Sequence, residues 1–302
     1  VWGMKVFNPL GGEPFMRGDV EEILQYAVDR GFFVSVTSNG TLISQRRADR
    51  LALIPSDRLH INISLDGDRK SNDAIRGEGM WDRAIAGFTR IRAADRELGN
   101  SHRKILANTI LHAKNIDYFE EILDEQESLG FDGVQILNLF RRGETPPPRS
   151  SGLWFTKEHF PKLEKLCTRL AQRSREGGAY KIQNTPKELL RIPSYYRDTL
   201  GPLEAPCWSG WKELYINADG KAIMCDTNLD FLNGTFGDVR EQTLKQLWRS
   251  PALKQRRQAV KNCTTPCVQK CYLRGSSDSG SDLFTDGVRL LSQFVWAHRP
   301  SL

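Results

Sequence analysis

The chain has 302 residues, 39% of them hydrophobic and 26% charged, enough apolar content to bury a substantial core and too much for a disordered polymer. Its net charge of +6 is offset by 37 acidic residues, with no basic block and no interleaved aromatic stripe, which argues against nucleic acid as a partner. No run of about 18 apolar residues argues for a membrane span and the opening residues lack a signal-peptide pattern, so the expected location is the cytoplasm.

Strand-length apolar runs alternate with amphipathic stretches through the first half. Strands are expected over residues 1–7, 32–38, 60–65, 104–111 and 134–139, and helices over 19–30, with Asp19 as N-cap, and over 44–53, 81–97 and 116–129. The proline-rich stretch 143–152 reads as a loop, and 156–173 as the helix that completes a fifth β-α pair. Repeated β-α order implies parallel strands with helices outside them. The register from 187 to 202 is unclear. Beyond it the character changes: 213–216 and 221–225 read as short strands joined by Asn217-Ala218-Asp219-Gly220, a hairpin turn. A Ser/Gly/Asp-rich connector over 276–281 leads to a last helix over 288–297. The expected division is 1–200 for the large domain, 201–275 for a small one, and 276–302 for the linker and C-terminal helix.

Three successive strands deliver small or polar residues at their carboxyl ends, the rim where sheets and barrels of this kind bind ligands. Gly11-Gly12-Glu13-Pro14 allows close backbone approach and offers a carboxylate to an ammonium group, although a plain glycine turn explains it as well. Asn39, in Thr37-Ser38-Asn39-Gly40, suits either a sugar hydroxyl or a turn. Ser64, in Ser64-Leu65-Asp66-Gly67, and Arg76 further on could fix a carboxylate, the alternative for Arg76 being an ion pair with Asp73. Five of the six cysteines crowd between Cys207 and Cys271, with Cys263, Cys267 and Cys271 at intervals of four, which favours an iron-sulfur or zinc centre over disulfides. Cys167, among apolar neighbours at helical spacing, reads as a buried structural thiol, and Trp208 and Trp211 as shields for a metal ligand.

The series Gly11-Gly12-Glu13-Pro14, Thr37-Ser38-Asn39-Gly40 and Ser64-Leu65-Asp66-Gly67 with Arg76 resembles the radical S-adenosylmethionine (SAM) superfamily. Cys207, the Leu214 to Lys221 hairpin before Cys225, and Phe236-Gly237-Asp238-Val239-Arg240 resemble its SPASM or twitch extension. The resemblance implies an α/β fold, a partial six-unit β/α barrel followed by a small cysteine-rich domain. It implies SAM contacts from Gly11, Gly12, Glu13 and Pro14 at the amine, Asn39 at the ribose, and Ser64 with Arg76 at the methionyl carboxylate. It implies an auxiliary [4Fe-4S] cluster on Cys207, Cys225, Cys267 and Cys271, with Cys263 as a further candidate. The family's first unit, with its C-x3-C-x2-C loop, is not found in this sequence, so the catalytic [4Fe-4S] cluster is expected only in a longer protein. The implied activity is hydrogen abstraction from a peptide or small molecule by a 5′-deoxyadenosyl radical, with flavodoxin or ferredoxin as electron donor. Two other readings are a cluster-binding or peptide-carrier protein without radical chemistry, and an unrelated β/α barrel with a structural zinc module.

Overall fold

The computed structural model of the chain describes residues 5–100, 102–139, 152–199, 209–211, 213–225 and 234–261. The chain divides into two compact units, Val1–Leu139 with Arg149–Leu189, and Phe140–Pro148 with Leu190–Leu302. Among the described residues no helix is long and apolar enough to cross a membrane.

The first unit is built on six parallel strands hydrogen-bonded in chain order: β1 (Val6–Phe7), β2 (Phe33–Ser38), β3 (Leu59–Ser64), β4 (Ile105–Leu111), β5 (Gly133–Asn138) and β6 (Lys181–Ile182). The intervening helices are α1 (Val20–Asp29), α2 (Gln45–Ala52), α3 (Arg69–Arg76), α4 (Met80–Glu97), α5 (Phe119–Ser128) and α6 (Phe160–Glu176), and α7 (Pro186–Tyr196) follows the last strand. When consecutive parallel strands lie side by side, each connection is a crossover of the same hand, so the helices collect on one face of the sheet. Val34, Val36, Ile61, Ile63, Ile105, Ala107, Val134 and Ile136 are among the buried residues of that helix-covered face. Paired residues on neighbouring strands share a face. The pairs Thr37 with Asn62, Ser64 with Asn108, and Asn108 with Gln135 therefore set a row of polar side chains on the other face. Asn62 Nδ2 ties part of this row together by donating to Ser35 Oγ at 2.9 Å and to the Val36 carbonyl at 3.2 Å.

Two buried polar knots secure the helix layer. Gln126 on α5 donates to Thr109 Oγ1 on β4 at 2.9 Å and accepts from the Tyr180 hydroxyl beside β6 at 2.9 Å. The three residues are 0 to 5% exposed. Tyr180→Phe leaves the Gln126 carbonyl buried without its donor, and should cost about 1–3 kcal/mol in urea unfolding. The second knot, around Arg103, lies at the opposite end of the sheet from the polar rim and is taken up in the Discussion.

Several expectations need correction. The sheet has six strands where five β-α pairs were counted, because β6 is two residues long and too short to show alternation. Helix α3 was not among the expected helices: Arg-Lys-Ser-Asn-Asp-Ala-Ile-Arg has no apolar stripe, and its one large apolar residue, Ile75, is 38% exposed. Asp19 does stand at the N-cap of α1, but its carboxylate pairs with Arg17 and makes no capping bond. Helix α5 starts at Phe119, not 116, because Asn115 first closes a turn by accepting from His112 N and donating to the Ile110 carbonyl. Strand 1–4, the loop residues 143–151, the connector 276–281, the helix 288–297 and Trp208 lie outside the described residues.

The second unit contains a three-stranded antiparallel sheet, β7 (Tyr215–Ile216), β8 (Lys221–Ile223) and β9 (Gly237–Asp238), followed by α8 (Leu244–Arg249) and α9 (Pro251–Lys261). The hairpin turn falls where Asn217 to Gly220 indicated it, with Asn217 N donating to the Lys221 carbonyl at 2.8 Å and Gly220 at φ +81°. Ala222, Met224, Phe236, Leu247, Leu253 and Val260 form its core, with Trp211, Cys225 and Trp248 packed against them.

Candidate cofactor site and cysteine module

The loop after β1 is bound to the end of β2 through one carboxylate. Glu13 Oε1 accepts from Ser38 Oγ at 2.8 Å and from Phe15 N at 3.1 Å, and Oε2 accepts from Asn39 N at 2.7 Å. An ionised carboxylate offers about four acceptor positions, so about one stays available to an ammonium donor. Gly11 and Gly12 precede it on the surface, Gly11 at φ +123°, and a Cβ built on either meets nothing within 4 Å. Pro14 opens a single 3-10 turn over Pro14–Met16. Asn39 Oδ1 is engaged in the turn, accepting from Thr41 N at 2.8 Å and Thr41 Oγ1 at 2.7 Å, which leaves its Nδ2 as the donor toward any ligand.

Arg76 departs from the ion pair considered for it. Asp73 instead accepts from Gly79 N and Trp81 N, both at 2.8 Å, and the Trp81 bond first among them holds its carboxyl below the usual range. Arg76 Nε stands 2.7 Å from Asp66 Oδ2, though its N–H is not aimed along that line and makes no hydrogen bond. Asp66 is 3% exposed, and its Oδ1 is also without a partner. Among the described residues neither Arg76 Nη group makes a hydrogen bond, so Asp66 orients a guanidinium fork whose outer edge is open. Ser64, half-buried at the end of β3, likewise spends its hydroxyl on no described residue.

His112, just beyond β4, completes this end of the sheet. It is 1% exposed, and burial holds its pKa below the ordinary histidine value. Nδ1 accepts from Lys114 N at 3.2 Å, which assigns the ring proton to Nε2. The Asp66 main chain lies near enough to favour the charged ring, yet Nε2 meets no partner in hydrogen-bond geometry. Gln135 Oε1 and Asn138 Oδ1 on β5 are buried and unpartnered as well. Thus Asp66 and His112, just beyond β3 and β4, and Gln135 and Asn138, on opposite faces of β5, each have a buried polar atom outside any hydrogen bond, while Arg76 Nε, at the end of α3, has only its ion pair with Asp66. Such atoms are rare in folded proteins. Glu13, Ser64 and Arg76 were expected at such a rim. Asp66 and His112, which stand beside them at the ends of β3 and β4, were not assigned a role from sequence, and the one signal for them is a polar residue ending an otherwise apolar strand.

Of the cysteine set, Cys225 alone lies within the described residues, half-buried just beyond β8. Cys207, Cys263, Cys267 and Cys271 lie outside them. Cys167 is fully buried on α6, where burial pushes its thiol up to about 12, a structural position as expected.

Comparison with known proteins meets both regions. A model of the Radical SAM superfamily matches residues 2–136, and a SPASM model, described as an iron-sulfur cluster-binding domain, matches 207–272. SuiB of Streptococcus suis bound to S-adenosylmethionine superposes with a TM-score of 0.63 at 17% identity, covering 87% of this chain and 61% of SuiB. SuiB bound to its precursor peptide SuiA gives 0.59 at 16% over the same shares. For anSMEcpe with bound AdoMet the values are 0.58 and 14%, over 84% of this chain and 65% of anSMEcpe. The chain thus spans less than two thirds of these relatives, and at such identity the likeness establishes the fold. The two family matches imply SAM and iron-sulfur clusters as the cofactors. With the partial parallel barrel and the hairpin domain both in place, the chain belongs to the radical SAM superfamily and carries a C-terminal SPASM domain.

Proposed function

We propose that the polar rim of the first unit holds SAM, that the cysteines of the second hold an auxiliary [4Fe-4S] cluster, and that the complete protein modifies a peptide by hydrogen abstraction. The observation that carries this reading is the pair of buried atoms outside any hydrogen bond just beyond β3 and β4, Asp66 Oδ1 and His112 Nε2, beside the Arg76 guanidinium that Asp66 holds. In the proposed arrangement the remaining acceptor position of Glu13 takes the methionyl ammonium, and the Gly11 and Gly12 backbone passes close beside it. Asn39 Nδ2 donates to the ribose. Ser64 and the open edge of Arg76 take the methionyl carboxylate, for which a planar fork is the suited donor. When bound, SAM supplies radical hydrogen-abstraction chemistry, and the residues of this chain orient it and keep water out.

A peptide substrate is favoured by the neutral row Thr37, Asn62, Asn108 and Gln135, whose amides and hydroxyls match a backbone amide better than a charged metabolite. Relatives of the same fold bind peptides, SuiA in the case of SuiB and the Kp18Cys peptide in the case of anSMEcpe. The cluster ligands in this reading are Cys207, Cys225, Cys267 and Cys271, with Cys263 spare. When bound there, the cluster would supply an electron acceptor or an anchor for the substrate, with flavodoxin or ferredoxin as the expected reductant of the complete protein.

The test is equilibrium binding of SAM to the complete protein. Arg76→Met should weaken it about tenfold, the value of one hydrogen-bonded charge pair, while leaving the circular dichroism spectrum unchanged. Unaltered affinity would remove Arg76 from the carboxylate site.

A further inference from the structure

Among the described residues of the second unit, one partly buried cation has no anion beside it. Arg257 on α9 donates from Nε to the Gly210 carbonyl at 2.7 Å and from Nη1 to the Trp248 carbonyl at 3.2 Å. Its guanidinium carbon lies 4.6 Å from the Trp248 ring centre and 5.9 Å from that of Trp211. Nη2 is buried and has no hydrogen-bond partner, and among the described residues no carboxylate pairs with this arginine. Aromatic faces and carbonyls stabilise a guanidinium but do not neutralise it. A partly buried charge left in that state is costly, so the arrangement calls for an anion.

What Arg257 grips indicates which anion. Gly210 and its neighbour Ser209 stand three and two residues after Cys207 in the chain. Ser209 is 1% exposed and donates from Oγ to the Met224 carbonyl at 2.6 Å, and Met224 immediately precedes Cys225. The contact is close: Gly210 has φ +80°, and a Cβ there would stand 2.4 Å from Met224 Sδ. Two candidate ligands on distant stretches of sequence thus adjoin chain segments that this hydroxyl staples together, and Arg257 ties the first of them, through Gly210, to Trp248 on α8.

Resting on the auxiliary-cluster reading above, we propose that Arg257 is the counter-charge of that cluster and that Ser209 and Arg257 are its positioning residues, Ser209 joining the chain after Cys207 to the chain before Cys225 and Arg257 fixing Gly210 against α8. A [4Fe-4S] cube with four thiolates is a dianion when oxidised and a trianion when reduced, so a nearby cation favours the reduced state and raises the potential. The hydroxyl staple acts on geometry and affects how firmly the cluster is kept.

The experiment uses the 302-residue chain reconstituted with iron and sulfide without oxygen. Its cluster is titrated with dithionite and followed by electron paramagnetic resonance, and iron release to a chelator is timed in parallel. Arg257→Met should shift the one-electron reduction equilibrium about tenfold toward the oxidised form, about 59 mV more negative. Arg257→Lys, which keeps the charge and loses the fork, should recover roughly half of that shift while still releasing iron faster than wild type. Ser209→Ala should leave the potential in place and release iron roughly tenfold faster. If Arg257→Met fails to fold by circular dichroism, Arg257→Gln removes the charge, keeps a donor for the Gly210 carbonyl and is read in the same way. A wild-type potential in the charge-free variant together with wild-type release from Ser209→Ala overturns the inference and leaves the cluster reading intact. Absence of iron from the wild-type chain overturns both.

Discussion

Arg103→Met should lower the stability of the first unit by about 3–5 kcal/mol, seen as a large fall in the urea midpoint followed by circular dichroism. Arg103 is 1% exposed and its partner Asp95 is 2% exposed. Nε donates to both Asp95 oxygens, at 2.8 and 2.9 Å, while Nη2 reaches the carbonyls of Leu51 and Ile54 at 2.9 and 2.8 Å. The last carbonyls of a helix have no partner within it, and a cation there also suits the helix dipole. One side chain thus closes the end of α2, neutralises a carboxylate on α4 and fixes the entry to β4. The methionine variant keeps the volume but leaves Asp95 as a buried charge without its cation and the Ile54 carbonyl without its donor, while Leu51 O keeps Ile54 N. Arg103→Met combined with Asp95→Leu should recover a good part of the loss, because the penalty comes from the abandoned partner. No recovery would mean that packing, not charge, governs the site.

Glu13→Ala should weaken SAM binding in the complete protein about a hundredfold, more than any other single change at the rim. The carboxylate does two things in the proposed site. It offers an acceptor to the methionyl ammonium, and it binds Ser38 Oγ, Phe15 N and Asn39 N, so that the glycine turn and the Asn39 turn are held by the same group. Hydrogen bonds to a charged acceptor contribute about 1.5–3 kcal/mol each. Their loss frees both loops at once. Glu13→Gln separates the roles: its amide oxygen can keep some of the loop bonds, but its NH2 meets an ammonium donor and a backbone donor with a donor of its own. The glutamine variant should therefore fold like wild type and still bind SAM roughly tenfold more weakly. Equal affinity for wild type and the glutamine variant would remove the ammonium role and leave Glu13 as a loop brace.

The parallel strands were legible because burial on one face wrote a period of two into β2 and β4, and the edges of β2, β3, β4 and β5 fall within one residue of the expected positions. Elements without such a period escaped. Helix α3 has no apolar stripe, and its signature was at the ends: Asp68 caps Ser71 N at 2.9 Å and Gly77 follows at φ +110°. Helix α7 contains Pro193, which reads as a break in sequence although the helix continues through it. β9 is two residues long and entered the sequence reading only through the resemblance carried by Gly237 and Asp238. At the rim, Glu13, Asn39, Ser64 and Arg76 stood out because they cluster beside glycines at strand ends. The partners that orient them did not, since the approach of Asp66 to Arg76 is set by the fold and not by spacing. Arg103 and Arg257 were equally invisible, because an arginine that answers helix ends or stacks on tryptophans looks in sequence like surface charge.

The most direct measurement is iron and sulfide analysis of the 302-residue chain after reconstitution without oxygen, beside Cys225→Ala. About four irons and as many sulfides per chain are expected, falling to less than about one in the variant. Zinc without sulfide in the wild type, or unchanged iron in Cys225→Ala, would contradict the assignment of the cysteine module.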